Sequence, residues 1–189
     1  MAPLILASSS PRRQELLTQI GYTFEVCVPN IDESIIEQEQ AQHYVARLAY
    51  EKACVIVEKH PKRIVLAADT CLSIQQEIIG KPTSKQHAFE IWRALAGKYH
   101  DVYTGICVMQ QGEIYTSVVQ TQVKLATLSE QEMQEYWDTK EPIGKAGAYA
   151  IQGIAAKYIL EIKGSYSNVV GLPLYETHQL LQQTIKALN

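Results

Sequence analysis

Two arginines in this sequence stand where a phosphate group could bind. Arg12 and Arg13 follow a short apolar run and the hydroxyl-rich turn Ser8-Ser9-Ser10-Pro11. Ser10 can cap a helix whose first turn contains Pro11, and such a helix start directs backbone N–H groups towards one point, where anions bind. Arginines there oppose the helix dipole unless an anion compensates them. A capped helix with two solvated arginines is the alternative.

Two lysines extend this set of candidate cations. Lys52 lies on the apolar stripe of a predicted helix, four residues from both Leu48 and Ile56, so its side chain should point along the inward face. There it either reaches a site or extends to solvent, and the second case is the commoner one. Lys81 precedes Pro82 and therefore lies in an extended segment, for which a plain surface turn is the alternative.

Acidic side chains that could bind a metal or accept a proton occur in two places. Asp69 follows the apolar run Ile64–Ala68, which predicts a strand that ends at Asp69-Thr70, at the edge of the sheet where open α/β proteins bind ligands. The pair Asp32-Glu33 lies in a predicted loop and could supply an oxygen ligand to Mg²⁺. A turn-capping side chain is the alternative for Asp69, and a solvated pair for the two adjacent acids.

A stretch rich in glycine and alanine, Glu141–Gly153, has no clear periodicity and is predicted to be a structured loop. Its Gln152 carries both a hydrogen-bond donor and an acceptor, so it could bind the edge of a nucleotide base, or it could be an ordinary turn amide. Cations, carboxylates, hydroxyls and one amide are present, without a Cys–His or Ser–His pairing typical of a covalent nucleophile. This inventory favours phosphate chemistry with a divalent ion.

Alternating strands and helices must position these residues, which predicts an α/β domain around a mixed, twisted sheet flanked by helices, with a cleft where two strand ends meet. The predicted strands are Leu4–Ala7, Thr23–Val28, Ile64–Ala68, Tyr99–Gln110, Glu113–Leu125 and Ala156–Ile162, with hairpins through Gln75-Gln76 and Gln111-Gly112. The predicted helices run from Pro11 to about Ile20, around Tyr44–Ile56, from Ser84 to Leu95 with Thr83 and Gln86 in capping-box register, from the Ser129 capping box to about Thr139, and onward from Pro173.

Length and composition limit the remaining possibilities. The chain has 189 residues, 47% of them hydrophobic, which predicts a single domain spanning 1–189. Its net charge of −3 disfavours nucleic acid and anionic membranes as partners. The 4 cysteines lack CxxC spacing, so no zinc site is expected. We expect a cytoplasmic protein with reduced cysteines, since the sequence shows neither a signal peptide nor a membrane span.

Short motifs throughout the chain resemble those of the Maf family of nucleotide pyrophosphatases in both order and spacing. Together they cover nearly the whole sequence, which makes the match specific. The motif segments are Leu6-Ala7-Ser8-Ser9-Ser10-Pro11-Arg12-Arg13, Ile31-Asp32-Glu33, Ala49-Tyr50-Glu51-Lys52-Ala53, Ala67-Ala68-Asp69-Thr70, Gly80-Lys81-Pro82, Lys145-Ala146-Gly147-Ala148-Tyr149 and Val169-Val170-Gly171-Leu172-Pro173.

This resemblance implies a cytoplasmic nucleoside triphosphate pyrophosphatase with an inosine triphosphatase-like mixed α/β fold, a divalent metal, Mg²⁺ or Mn²⁺, and a homodimeric state. Within the family the chain is similar to the branch that acts on dTTP and UTP, because it has Arg12, Thr70 and Gln152 at the branch-specific positions. The sister branch, which acts on 7-methyl-GTP, shows Ser-Asp-Gln at the aspartate motif and Ser-Glu-Gly in the later loop. This chain differs from it at both places.

The resemblance and the residue types together assign roles to the site. Asp69 is expected to accept the proton of the attacking water and, with Glu33, to bind the metal, although the motif does not settle which of Asp32 and Glu33 is the ligand. Lys52 and Lys81 are the expected catalytic cations. The expected substrate-binding residues are Ser8, Arg12, Arg13, Thr70 and Gln152.

Two alternatives to a dTTP/UTP pyrophosphatase remain at this stage. One is the same reaction on modified or other nucleotides, such as 7-methyl-GTP. The other is a nucleotide-binding regulator of septum formation, since Maf proteins are also described as inhibitors of that process. Asp69 and the full set of cations favour an enzyme, because a regulator that only binds would not need a base beside the anhydride.

Overall fold

The computed structural model describes residues 4–187, which form a mixed sheet with helices on both faces. Its strands are β1 (Leu4–Ala7), β2 (Phe24–Val26), β3 (Ile64–Ile74), β4 (Glu77–Ile79), β5 (Tyr99–Gln110), β6 (Glu113–Leu125) and β7 (Ile159–Lys163). Its helices are α1 (Pro11–Gln19), α2 (Ala41–Lys59), α3 (Lys85–Leu95), α4 (Glu130–Asp138), α5 (Tyr166–Val170) and α6 (Leu174–Ala187), and two 3₁₀ turns lie at Ala146–Ala148 and Ile154–Tyr158.

The sheet has the strand order β2-β1-β3-β5-β6-β7, and β4 pairs with the end of β3. Strand β1 is parallel to both β2 and β3, whereas the remaining pairs are antiparallel. Every residue from Ile64 to Asp69 is buried, as expected for a central strand covered on both faces. The predicted mixed α/β class is therefore confirmed.

Among residues 4–187, α2 is the helix that packs on one face of the sheet, where its alanines and Ile56 contact Ile5, Val65 and Cys107. The other face carries the larger core, to which the remaining long helices contribute Leu17, Trp92, Tyr136 and Leu181 among others. Within residues 4–187 no helix is both long and apolar enough to cross a membrane.

Strand β3 differs from the sequence-based expectation, because it does not end at Asp69-Thr70 but continues to Ile74. Strand β5 pairs with it through this region, with Asp69 opposite Gly105, and so supplies the hydrogen bonds that keep the polar pair in the strand. On the other side β1 accompanies β3 only as far as Ala67, and β4 pairs with it from Leu72 onward. Asp69 therefore lies where β3 loses one neighbour, rather than at a strand end.

Several other boundaries also shift. Ser84, not Thr83, caps α3, since its hydroxyl accepts the N–H of His87 at 3.1 Å. Strand β2 is shorter than predicted, and β7 begins at Ile159 because the residues before it form a 3₁₀ turn. The short helix α5 was not predicted, and the final helix begins at Leu174.

The turn predictions were more accurate. Gln75 and Gln76 both have positive φ, 50° and 72°, in the hairpin between β3 and β4, as a tight hairpin requires. The capping box of Ser129 and Glu132 is present at the start of α4. Ser10 occupies the N-cap position of α1 as predicted, but its side chain makes no capping hydrogen bond.

Candidate active site

A cleft of about 980 Å³ opens beside the point where β1 ends next to β3. Its walls come from the start of α1, the loop before α2, the middle of β3, the segment after Ile79, and the loops around residues 141–153 and 169–171. All nine predicted catalytic and substrate-binding residues line this cleft: Ser8, Arg12, Arg13, Glu33, Lys52, Asp69, Thr70, Lys81 and Gln152. The structure thus brings together motifs that are far apart in sequence.

Lys52 connects the two acidic groups at the base of the cleft. Its Nζ lies 2.6 Å from Oδ1 of Asp69 and 2.7 Å from Oε1 of Glu33. Lys52 is only 6% exposed and Asp69 7%, so the side chain points into the protein rather than extending to solvent. A buried charge is tolerated when it is paired and hydrogen-bonded, and here the lysine and the aspartate satisfy each other.

Gly105 allows α2 to approach the sheet closely enough for this contact. A Cβ atom at Gly105 would lie 2.2 Å from the carbonyl oxygen of Val45, so any side chain there would push the helix away. Lys52 lies about two turns after Val45 on the same face of α2, and Gly105 is the β5 partner of Asp69. This residue was not predicted from the sequence, although a glycine inside a long apolar strand often marks a close backbone approach.

Glu33 is held in the cleft by its backbone and by nearby charges. The hydroxyl of Tyr44 donates to the carbonyl oxygen of Glu33 at 3.0 Å. Burial acts to raise the pKa of the Glu33 carboxyl, but the hydrogen bond and charge of Lys52, together with the charges of Lys81 and Arg13, outweigh it and hold that pKa below its usual value. Glu33 is therefore ionised at neutral pH.

The neighbouring Asp32 has a different role. Its Oδ1 accepts the backbone N–H of Ser34 at 2.9 Å and the Ser34 hydroxyl at 2.6 Å, the pattern of a side chain that stabilises its own turn. Arg47 supports the same turn by donating to the Ser34 carbonyl at 3.0 Å. Of the two adjacent acids, Glu33 is the one that faces Lys52 and lines the cleft.

The two carboxylates that meet at Lys52 fit a site for a divalent ion. Both contact Nζ of Lys52 within 2.7 Å, so the two carboxylates lie close together at the base of the cleft. Residues 4–187 contain no group of three or more His, Cys, Asp or Glu side chains that could hold a metal. Mg²⁺, however, is commonly bound by one or two carboxylates plus substrate phosphates, and this donor set agrees with that case.

Arg13 joins three segments around the phosphate-binding turn. Its Nε donates to the carbonyl oxygen of Gly171 at 2.8 Å, one Nη to the Ser8 hydroxyl at 3.3 Å, and the other to the Thr70 hydroxyl at 3.0 Å. Burial lowers the pKa of the guanidinium, while the charge of Asp69 opposes that shift. Arg13 and Thr70, both predicted to bind substrate, thus bind each other in this structure and shape the cleft.

The remaining cations lie where they are open to a ligand. Lys81 is exposed and Arg12 partly exposed along the cleft. Burial lowers the pKa of Arg12, with Glu15 opposing the shift. Ser8 is buried, and its hydroxyl accepts the N–H of Ser10 at 3.2 Å, so the serine turn is preformed at the start of α1.

A buried polar network behind Thr70 was not predicted from the sequence. The Thr70 and Thr104 hydroxyls are 2.9 Å apart, and Thr104 donates to the carbonyl oxygen of Asn168 at 3.2 Å. The Asn168 amide donates to the Val102 carbonyl at 3.0 Å and to the Thr121 hydroxyl at 2.9 Å. Asn168 lies just before the Val169–Pro173 motif, but one sequence does not distinguish a buried asparagine from a solvated one.

The loop that carries Gln152 is anchored to the larger core. The Trp92 indole donates to the Ala148 carbonyl at 2.9 Å, and His100 Nε2 lies 2.8 Å from the Tyr149 hydroxyl. Burial lowers the pKa of His100 to about 4, against the opposing charge of Asp101, so this histidine is neutral at pH 7. Gln152 itself is exposed at the cleft, where its amide is available to a ligand.

Known proteins are similar to this chain in sequence or in fold. The chain is 59% identical over 184 residues to a dTTP/UTP pyrophosphatase of Acinetobacter baylyi, covering 97% of this chain and 100% of that protein. It is 47% identical to a dTTP/UTP pyrophosphatase of Salmonella typhimurium, covering 96% of this chain and 92% of that protein. A Ham1 protein of Staphylococcus aureus has the same fold, with a TM-score of 0.54 and 12% identity over 99% of this chain and 100% of that one.

The family assignment follows from the same residues that form the cleft. The family model described as Maf-like protein matches residues 3–184, a range that contains every motif segment named above. The motifs predicted this family from the sequence, and the structure places their polar side chains around one cleft. The chain belongs to the Maf family.

Proposed function

We propose that the protein hydrolyses dTTP and UTP to the nucleoside monophosphate and pyrophosphate. The observation that carries the proposal is the buried Lys52 between Asp69 and Glu33, at the base of a cleft whose rim is the start of α1. Acids and cations are thereby placed where a triphosphate can lie. Relatives named dTTP/UTP pyrophosphatase, 59% and 47% identical over nearly the full chain, support the substrate.

Asp69 is the proposed general base. It takes a proton from a water molecule, whose oxygen forms a bond to the α-phosphorus while the bond from that phosphorus to the β-phosphate oxygen breaks. The electron pair of the broken bond leaves with pyrophosphate. Lys52, at 2.6 Å, fixes the position of the Asp69 carboxylate during this step, and positioning of this kind contributes much of the rate in phosphoryl transfer.

The phosphates are held by the turn at α1 and by the open cations. The backbone N–H groups after Ser8 and the helix dipole attract phosphate oxygens. Arg12 and Lys81 lie along the cleft and neutralise charge that builds up on the departing pyrophosphate. Arg13 keeps the turn in shape through its bonds to Ser8 and Thr70.

A divalent ion, Mg²⁺ or Mn²⁺, is part of the proposal. Asp69 and Glu33 would hold it, since both carboxylates lie beside Lys52 at the base of the cleft. When bound, such an ion supplies charge neutralisation and polarises a phosphoryl oxygen.

We also propose a homodimer in the cytoplasm, as the family resemblance implies. Sedimentation velocity and cell fractionation test these two points.

Gln152 is proposed to select pyrimidines. Its amide can donate to a carbonyl oxygen and accept from a ring N–H, which matches the imide edge of uracil and thymine. Its exposure at the cleft supports this contact. Arg12 is a further proposed substrate contact. Thr70 contributes indirectly, because its hydroxyl accepts a hydrogen bond from Arg13 at 3.0 Å.

The test is a turnover assay with purified protein, Mg²⁺ and a panel of UTP, dTTP, CTP, ATP and 7-methyl-GTP. Pyrophosphate and nucleoside monophosphate are measured in equal amounts, with metal-free protein as the control. We expect turnover of UTP and dTTP above the other nucleotides. Release of orthophosphate, or preference for 7-methyl-GTP, would refute the proposal. A regulator of septum formation would bind UTP without releasing pyrophosphate.

A further inference from the structure

We infer that Glu141 is a positioning residue that sets pyrimidine selectivity by holding both ends of the segment that carries Gln152. The inference rests on the proposed function, since it concerns how the same cleft recognises a base. Glu141 lies in the loop after α4 and lines the cleft, as do Gln152 and Gly153. Its role follows from where its two carboxylate oxygens are engaged.

The carboxylate of Glu141 binds the C-terminal end of the segment. One oxygen, Oε2, accepts the backbone N–H of Ile154 at 2.8 Å, and the other, Oε1, accepts the N–H of Ala155 at 3.2 Å. These are the first residues of the 3₁₀ turn Ile154–Tyr158, whose N–H groups would otherwise lack partners. Gln152 therefore lies two residues before a point fixed by a charged side chain.

Tyr136 fixes the other end of the segment. Its hydroxyl donates to Oε1 of Glu141 at 2.7 Å and accepts the backbone N–H of Ala150 at 3.2 Å. The ring is 2% exposed and packs against Trp92 and Tyr158, with ring centroids 5.2 and 5.8 Å away. The hydroxyl is thus fixed by the core, and Glu141 with Tyr136 holds the chain on both sides of Gln152.

These partners distinguish Glu141 from the acids that meet Lys52. Among the ion pairs of residues 4–187, none includes Glu141, and its bonds go to backbone N–H groups and one hydroxyl. A carboxylate that accepts several such bonds makes stronger hydrogen bonds than a neutral acceptor. Glu141 consequently serves the loop rather than the phosphates, which a negative side chain would repel.

Gly153 provides independent evidence for this contact. A Cβ atom there would lie 2.1 Å from Oε2 of Glu141 and 2.5 Å from its carboxylate carbon. The φ of Gly153 is −106°, so the backbone conformation does not itself require glycine. A side chain there would instead have to displace the carboxylate of Glu141, which packs against the main chain one residue after Gln152.

The first experiment compares Glu141→Gln with wild type by kcat and KM for UTP, dTTP and CTP. The amide keeps the size of the side chain but puts an NH₂ group against N–H and O–H donors, which leaves at least one of them unsatisfied. We expect KM for UTP and dTTP to rise on the order of tenfold, and the preference over CTP to fall with it. Since Lys52 and Asp69 are untouched, kcat should change by less than about threefold.

The control is Glu132→Ala, which removes the capping box of α4, the helix that precedes Glu141, and lies outside the cleft. It should lower the melting temperature without changing the preference for UTP over CTP. Tyr136→Phe, which keeps the buried ring and removes the hydroxyl, should shift the preference in the same direction as Glu141→Gln by a smaller factor. It also tests the inference if Glu141→Gln does not fold.

The second experiment is a double-mutant cycle on selectivity. Gly153→Ala alone should displace the carboxylate and reduce the preference for UTP. In the Glu141→Ala background the space is vacant, so Gly153→Ala should add little, and the two effects should be clearly non-additive. Amide exchange gives a readout without substrate, because the N–H groups of Ile154 and Ala155 should lose protection in Glu141→Gln.

Equal losses of kcat/KM on all three nucleotides, or additive effects of the two changes, would overturn the inference while leaving the proposed function in place. Unchanged amide protection at Ile154 and Ala155 would also overturn it. Failure of the proposed function looks different: wild-type protein would then release no pyrophosphate from UTP, whatever the exchange data show.

Discussion

The pair of Lys52 and Asp69 and the segment around Gln152 line the same cleft but depend on different parts of the fold. Lys52 and Asp69 belong to a 19-residue helix and an 11-residue strand, and both are buried. Gln152 is exposed on a loop held by hydrogen bonds from side chains to the backbone. Movement of the first group would require repacking α2 on the sheet, whereas the second can move when one carboxylate changes.

This contrast indicates that the reaction and the choice of base are separable. Bond cleavage depends on groups fixed by regular structure, which keeps reacting atoms within a fraction of an ångström. Base selection depends on a few polar contacts that can change without affecting the core. Substitutions in the two regions test that separation.

The largest effect is expected for Asp69→Asn. Asparagine keeps the size of the side chain but cannot accept the proton of the attacking water, so kcat for UTP should fall by ~10²–10⁴. Preference among nucleotides should be unchanged in the residual activity. Kinetics and circular dichroism are the measurements. A folded variant within about tenfold of wild-type activity would remove Asp69 as the general base.

Lys52→Met should affect both activity and stability. Methionine retains the apolar stem along α2 but leaves the buried Asp69 carboxylate without its cation, and breaking such a pair costs up to about 3–5 kcal/mol. The unfolding free energy at pH 7 should therefore fall below that of wild type. Denaturant unfolding measures it.

The control for this variant is Lys59→Met, at the exposed end of the same helix. It should change the unfolding free energy by less than about 1 kcal/mol and leave kcat unaltered. If Lys52→Met behaves in the same way, the ion pair with Asp69 does not contribute to the fold or the reaction.

The smallest effect is expected for Gln152→Glu. A carboxylate repels the O4 carbonyl of uracil and thymine but can accept from the amino group of cytosine, so kcat/KM should fall more for UTP and dTTP than for CTP. The difference should correspond to about 1–3 kcal/mol. Gln42→Glu, exposed at the start of α2 and away from the cleft, is the matched control. An equal fall on all three nucleotides would mean that Gln152 does not contact the base.

The sequence predicted the local features of the fold well. The hairpin at Gln111-Gly112 and the capping box at Ser129 depend on residues close together in the chain, and both are present. The inward direction of Lys52 followed from helical periodicity. The motifs also identified the residues that line the cleft, because the family resemblance carried information that spacing alone did not.

What the sequence did not predict depends on contacts between distant segments. Asp69 looked like a strand end because its pairing partner in the continued strand, Gly105 of β5, lies far later in the chain. The need for Gly105 depends on the carbonyl of Val45, and the role of Glu141 depends on N–H groups that a 3₁₀ turn leaves open. No pattern within one segment reports such partners.

The gap in strand pairing along β3 has a consequence for how far substitutions can alter this protein. Between Ala67, the last partner of β1, and Leu72, the first partner of β4, strand β3 has a neighbouring strand only on the β5 side. Main-chain amides and carbonyls along that open margin belong to every variant, whatever its side chains. Side-chain substitution does not remove these groups, so the side chains around the cleft can vary while this margin of β3 stays the same.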